Sequence, residues 1–154
     1  MINPRISRSE RGVAAVEFAV ILPVILIMLV LPLFLGRIMW HYTAAQKAAY
    51  DAVRYLSTVP RVEMKDPNKI NSVVALAINI ATSETAELNS GPYPAAVAIQ
   101  CDGGPCLGYT IPATVTVIVQ LYITDIFFPS ISVELIGQDS NVLSANVTYA
   151  YVGI

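Results

Sequence analysis

Charge is scarce in this chain, and histidine and cysteine are scarcer. Of 154 residues, 13% are Asp, Glu, Lys or Arg, two are cysteines, and one each is histidine and tryptophan. With a net charge of −2 and no basic run after the first dozen residues, the chain lacks the clustered cations that neutralise phosphates, which excludes a nucleic-acid partner. The single histidine, His41, has no Cys, Asp or Glu at a metal-ligand spacing, so no metal is expected. There is no activated-nucleophile motif, no phosphate-cradling glycine loop and no carboxylate cluster in an assignable pocket. The expectation is a protein that is not an enzyme and has no cofactor or small-molecule substrate.

What the chain has in quantity is aliphatic surface, concentrated between Val13 and Gly36. Sixteen of these 24 residues are Val, Ile, Leu or Phe, and Glu17 is the one ionisable side chain. At helical rise the segment is about 36 Å long, against a hydrocarbon layer of roughly 30 Å. Each central apolar residue contributes about −0.3 to −0.6 kcal/mol to insertion, and together they outweigh a central acid at about +2.5 to +3.5 kcal/mol. Pro23 and Pro32 each remove a helix hydrogen bond, which spanning helices tolerate where local adjustment satisfies the freed carbonyl. Arg5, Arg8 and Arg11 precede the span against Glu10 alone, and this bias holds the N-terminus in the cytoplasm, outvoting Arg37 and Lys47 on the far side. Arg11 and Arg37 flank the span, and Trp40 and Tyr42, with His41 between them, fall where aromatic rings prefer the membrane interface.

Residues 1–12, MINPRISRSERG, form a short basic leader, and no small-residue signal-peptidase site follows the apolar run, which ends FLGRIMW. The stretch Arg11-Gly12-Val13-Ala14-Ala15-Val16-Glu17-Phe18 resembles the processing site of the TadE-like family, minor pseudopilins of tight-adherence (Flp) pili within the type IV class. The resemblance extends through the apolar run to about Ser57. It implies cleavage by a prepilin peptidase after Gly12, with Val13 as the new N-terminus and Glu17 as the fifth mature residue. It also implies a bacterial inner-membrane location, possible incorporation into the pilus, and partners among other pilins, the assembly platform and membrane lipid. A carboxylate one helical turn from a new amine can pair with its counterpart on an adjacent subunit, and the resemblance implies that such a pair sets axial register. A lone acid that snorkels to the headgroups is the plainer alternative.

From Arg37 the helical period continues to Ser57, with Ile38, Tyr42, Ala45, Ala49, Ala52 or Val53, and Leu56 on one face, and Lys47, Asp51 and Arg54 off it. With no breaker before Pro60, the span and this extension form one continuous rod. Asp66-Pro67 introduces a second helix from Ile70 to about Leu88. After Asn89-Ser90-Gly91-Pro92 the period changes to two. Val97, Ile99 and Cys101 alternate, then Val115, Val117, Val119, Leu121 and Ile123, and finally Leu143, Ala145, Val147, Tyr149 and Tyr151. Cys101 and Cys106, with four residues between them, read as a hairpin loop closed by a structural disulfide in an oxidising compartment, in preference to a reactive thiol pair or half a metal site.

Phe127 and Phe128 cannot share one face of a strand, so either one contacts another subunit or the loop buries both. Asn146-Val147-Thr148 matches a glycosylation sequon inside an expected strand. The fold expected is α+β and pilin-like: a leader at 1–12, a span at 13–36, an exported helical extension at 37–57, and a periplasmic domain at 58–154 in which a small antiparallel sheet packs on the helix beside a second short helix. Two other readings remain: an uncleaved single-pass module with a binding domain outside the membrane, and a soluble secreted domain behind an unusual signal.

Overall fold

The computed structural model describes residues 8–88, 93–124 and 140–153. One helix, α1, runs without a break over Arg8–Thr58 and contains both Pro23 and Pro32. The chain divides into two compact units between Arg37 and Ile38. The first consists, among the described residues, of the helix alone. Its Val, Ile, Leu and Phe side chains are largely exposed, and none of its most apolar 18-residue window is buried. It is long and apolar enough to cross a membrane.

The second unit is an α+β domain, as expected: the end of α1, two further helices and a three-stranded antiparallel sheet. The helices are α2 (Arg61–Met64) and α3 (Ile70–Thr85), and the strands are β1 (Ala96–Cys101), β2 (Thr114–Thr124) and β3 (Ser140–Ala150), ordered β1-β2-β3. The central strand is the one whose alternation is most regular. Val115, Val117, Val119, Leu121 and Ile123 are all fully buried, while Thr114, Ile118, Gln120 and Tyr122 on the other face are partly exposed. Thr116 and Thr148, directly paired across β2 and β3, join their hydroxyls at 2.9 Å on that outer face.

The α1 stripe facing this core is rotated from the one the periodicity suggests. Ala45, Ala49, Ala52, Val53 and Leu56 are buried as expected, but Ala48 and His41 join them, while Tyr42 is 36% exposed and Ile38 only half-buried. Four alanines with no exposed surface give this part of the helix a smooth face, which belongs to the same continuous hydrophobic cluster as the inward residues of β2. Tyr42 sits outside it and accepts a hydrogen bond from Gln46 Nε2.

Three other local features differ from the reading of the sequence. The segment after α1 is not all loop: Pro60, with its fixed φ, starts the single turn of α2, whose Met64 drops into the core. Asp66-Pro67 introduces α3 through a turn, with the Asp66 side chain accepting from the Asn68 N–H, rather than as its cap. The segment between the cysteines is not the hairpin loop joining β1 to β2. Asp102 (φ 51°) and Gly103 (φ 80°) make a tight reversal that returns Gly104 to Cys101, and the chain then continues to Thr114 before β2 begins. Phe127 and Phe128 lie outside the described residues.

Candidate assembly site

Gly12, Val13, Glu17 and Phe18 occupy consecutive turns near the start of α1, with Val13 and Phe18 well exposed. Four residues of helix place Glu17 about 6 Å along the axis from Val13, one turn further on the same side. Among the described residues Glu17 has no ion-pair or hydrogen-bond partner, and beyond its own stretch of helix nothing described would crowd a Cβ on Gly12. Among the described residues this is a largely exposed apolar stretch of helix carrying one acid. Arg37 and Trp40 follow on α1, Arg37 half-buried and Trp40 exposed.

In the second unit, three sets of contacts fix the end of α1 and the loop beside it. The first is a tail clasp: the N–H groups of Val152 and Gly153 donate to the Ser57 carbonyl at 3.1 and 3.2 Å, and Tyr151 Oη donates to the Val59 carbonyl at 2.7 Å. Arg61 Nη2 also donates to the Val152 carbonyl at 3.3 Å. Carbonyls at a helix C-terminus have no partner within the helix, and here chain-distant residues supply one. Gly153 (φ 56°) is required by the close approach, since a Cβ there would stand 2.8 Å from the Tyr151 ring and the Arg61 stem.

The second set holds the long β1–β2 connection. Cys101 and Cys106 are disulfide-bonded, as expected. The Asp102 carboxylate accepts from the Ala113 N–H (2.9 Å), the Thr114 N–H (2.8 Å) and the Thr114 hydroxyl (3.2 Å). Gly108 (φ 76°) presses on the Asp66–Pro67 backbone so closely that a Cβ would meet Pro67 N at 2.9 Å. A cavity of about 310 Å³ lies beside this loop, lined by Met64, Ile70, the disulfide and Tyr109. Its one carboxylate, Asp102, is already committed to the backbone. The described residues contain no group of three or more His, Cys, Asp or Glu that could hold a metal.

The third is an ionic contact between α1 and α3, where Lys47 Nζ lies 3.6 Å from Glu84 Oε2. Burial, and then the hydrogen-bonded carboxyl of Asp51 beside it, raise the Glu84 pKa; the lysine, itself largely in water, opposes this without reversing it. Asp102 is shifted the other way, lowered first by the Thr114 N–H and then by that of Ala113.

The two carboxyls have opposite consequences for stability. Glu84, with its folded pKa raised, contributes stability that is complete below its ordinary 4.5 and is lost as pH rises through the folded value. Asp102 contributes stability present above its ordinary 3.8 and lost as pH falls through its lowered value. Melting followed between pH 3 and 7 should therefore show Glu84→Gln gaining on the wild type as pH rises, and Asp102→Asn losing most at the neutral end. Parallel profiles for all three proteins would remove both carboxyls from the account.

Neither the tail clasp nor the Asp102 clamp was visible in the sequence, apart from the Asp-Gly-Gly turn signal at 102–104. No curated protein and no solved structure matches the chain. The family comparison covers residues 12–54, from Gly12 through the apolar helix into the buried face of α1, which match the sequence model described as TadE-like protein.

Proposed function

We propose that this chain is a minor-pseudopilin-like structural protein of a tight-adherence pilus. The observation that carries the reading is the coincidence of the TadE-like match over residues 12–54 with a largely exposed apolar helical stretch bearing one acid that has no partner among the described residues. The leader, with Arg5, Arg8 and Arg11, stays in the cytoplasm, and a prepilin peptidase cuts between Gly12 and Val13. Residues 13–36 then hold the protein in the inner membrane, while Arg11 (before cleavage), Arg37, Trp40 and Tyr42 meet the headgroups and the domain beyond stands in the periplasm. Assembly proceeds by lateral packing of apolar helices from neighbouring pilins, in which the Val13 amine and the Glu17 carboxylate of adjacent subunits neutralise each other and select the register. Phe127 and Phe128 remain candidates for a subunit contact.

Co-expression with a prepilin peptidase, followed by N-terminal sequencing of the membrane-bound product, tests the first step. The expected N-terminus is Val13, with Gly12→Ala processed poorly and Ser9→Ala processed normally. A retained Met1 in the presence of active peptidase would instead support an uncleaved membrane-anchored module.

A further inference from the structure

The second unit has two ends of different chemistry. Strand β3 runs antiparallel to the part of α1 beside it: Val152 and Gly153 meet Ser57, and the Tyr149 ring meets that of Tyr50 at 6.1 Å between centroids. From Tyr149 back to Val142 is about 23 Å of strand, and from Tyr50 back to Ile38, where α1 enters the unit, is about 18 Å of helix. The start of β3 therefore reaches the level of Ile38. The end of β2 comes with it, since Tyr122 pairs with Val142, and the Tyr93 ring stands edge-on to that of Tyr122 at 5.6 Å between centroids.

Among the described residues, Arg61, Glu63, Lys65, Asp66, Lys69 and Asp102 all lie at the far end, around the tail clasp and the cysteine loop. The entry end presents Trp40, Tyr93 (59% exposed), Tyr122 and Val142 (49% exposed). Only Glu87, on the turn that follows α3, is a described acid of this unit on the entry side of the Lys47–Glu84 contact. Tyr and Trp, apolar in the ring and polar at one tip, are the side chains that settle at a membrane–water interface.

Chain connectivity is what brings lipid to these rings. The apolar run of α1 ends at Gly36, and Ile38 and Trp40 follow it by about 3 and 6 Å along the helix, within a headgroup layer about 5–8 Å deep. We infer that the entry end of the domain rests on the bilayer surface, with Tyr93 and Tyr122 in the headgroup layer beside Trp40. Lipid then holds the domain as well as the helix. Such a contact rests on the membrane anchoring proposed above, but not on cleavage after Gly12, on the role of Glu17 or on the direction in which the chain crosses.

The protein has one tryptophan, so moving it through the domain maps the contact. The full chain is placed in phosphatidylcholine vesicles containing phosphatidylcholine with a nitroxide on its headgroup. Three forms are compared: wild type, Trp40→Phe with Tyr93→Trp, and Trp40→Phe with Tyr109→Trp, the last an exposed position on the far loop. Tryptophan at 93 should be quenched at least half as strongly as Trp40, with emission to the blue of that at 109, which should stay unquenched. Tyr122→Trp in the Trp40→Phe background is a second reporter and should follow position 93. Quenching of Trp40 without quenching at 93 and 122 would overturn the docking and leave the anchoring intact, whether the rings are bare, covered by the chain's own residues or turned to another protein. Equal quenching at 93 and 109 would overturn it as well, since the domain would then meet lipid with no preferred end. An unquenched Trp40, in protein that does not float with the vesicles, would remove the anchoring and the docking together.

Discussion

Replacing Glu17 by alanine is expected to reduce incorporation of the protein into pili by two orders of magnitude or more, while leaving it fully inserted in the membrane. In the proposed assembly, the variant keeps the Val13 ammonium but deletes the carboxylate that answers it among packed apolar helices. Breaking one side of such a buried pair costs about 3–5 kcal/mol, and each 1.4 kcal/mol is about a tenfold change in an equilibrium. Insertion moves the other way, since removing a carboxylate from a span relieves up to about 2.5 to 3.5 kcal/mol. The two effects therefore separate in one experiment, in which membrane fractions and sheared pili from the same cells are quantified for wild type, Glu17→Ala and Glu17→Gln. Glutamine keeps the shape but not the charge, and its defect should approach that of alanine. Wild-type levels of either variant in the sheared fraction would overturn the pairing of amine and acid.

Leu56→Ala is expected to have the largest effect on stability, lowering the unfolding free energy of the second unit by about 2–5 kcal/mol. Leu56 has no exposed surface and heads the largest buried side chains of the core, on the last buried turn of α1 beside the clasped carbonyl of Ser57. Its buried neighbours along the chain, Ala52, Val53 and Val59, are short side chains that fill little of the vacated space, so much of the cavity stays open. Val62→Ala on α2, at a position 75% exposed, is the matched control and should change stability by less than about 0.5 kcal/mol. Denaturant unfolding of both variants in detergent, followed by near-ultraviolet circular dichroism of the tyrosines, measures the difference. A Leu56→Ala loss as small as that of Val62→Ala would mean that α1 is not the floor of this core.

The elements written in the local period of the chain were legible in advance. Strand β2 alternates over ten residues without an exception that matters, and α1 carries its helical pattern past two prolines because nothing in its apolar stretch favours another structure. The rotation of the α1 face was not legible. Ranked by hydrophobicity, Tyr42 belongs inside and His41 outside, but the alanines turn into the core, and the turn that carries them inward carries His41 with it. Strand ends proved ambiguous where side chains at the margin of the core decide. Tyr149 sits in the inward series yet is only part-covered, meeting Tyr50 edge-on at 6.1 Å between ring centroids. Contacts such as Asp102 to Thr114, or Tyr151 to Val59, join residues 12 and 92 positions apart, and no window of the sequence contains both partners. The proposed assembly residues are local instead: Gly12, Val13, Glu17 and Phe18 lie within seven consecutive residues, so a single window of the sequence contains them all.

The clasp also sets an order of events during synthesis. Ser57 receives its partners from Val152 and Gly153, so the first and last parts of the second unit meet across nearly its whole length. A ribosome delivers the helix end long before the residues that cap it. Until Val152 and Gly153 are in place, the domain has α1 and α3 but not the bonds that tie the end of α1 to β3's far end. Such high sequence separation slows folding, because the cost of closing a long loop falls due before its contacts form. A domain built this way reaches its native state as a single late step, and in the interval a chaperone finds unpaired strands with no charged residue along them to discourage misassociation.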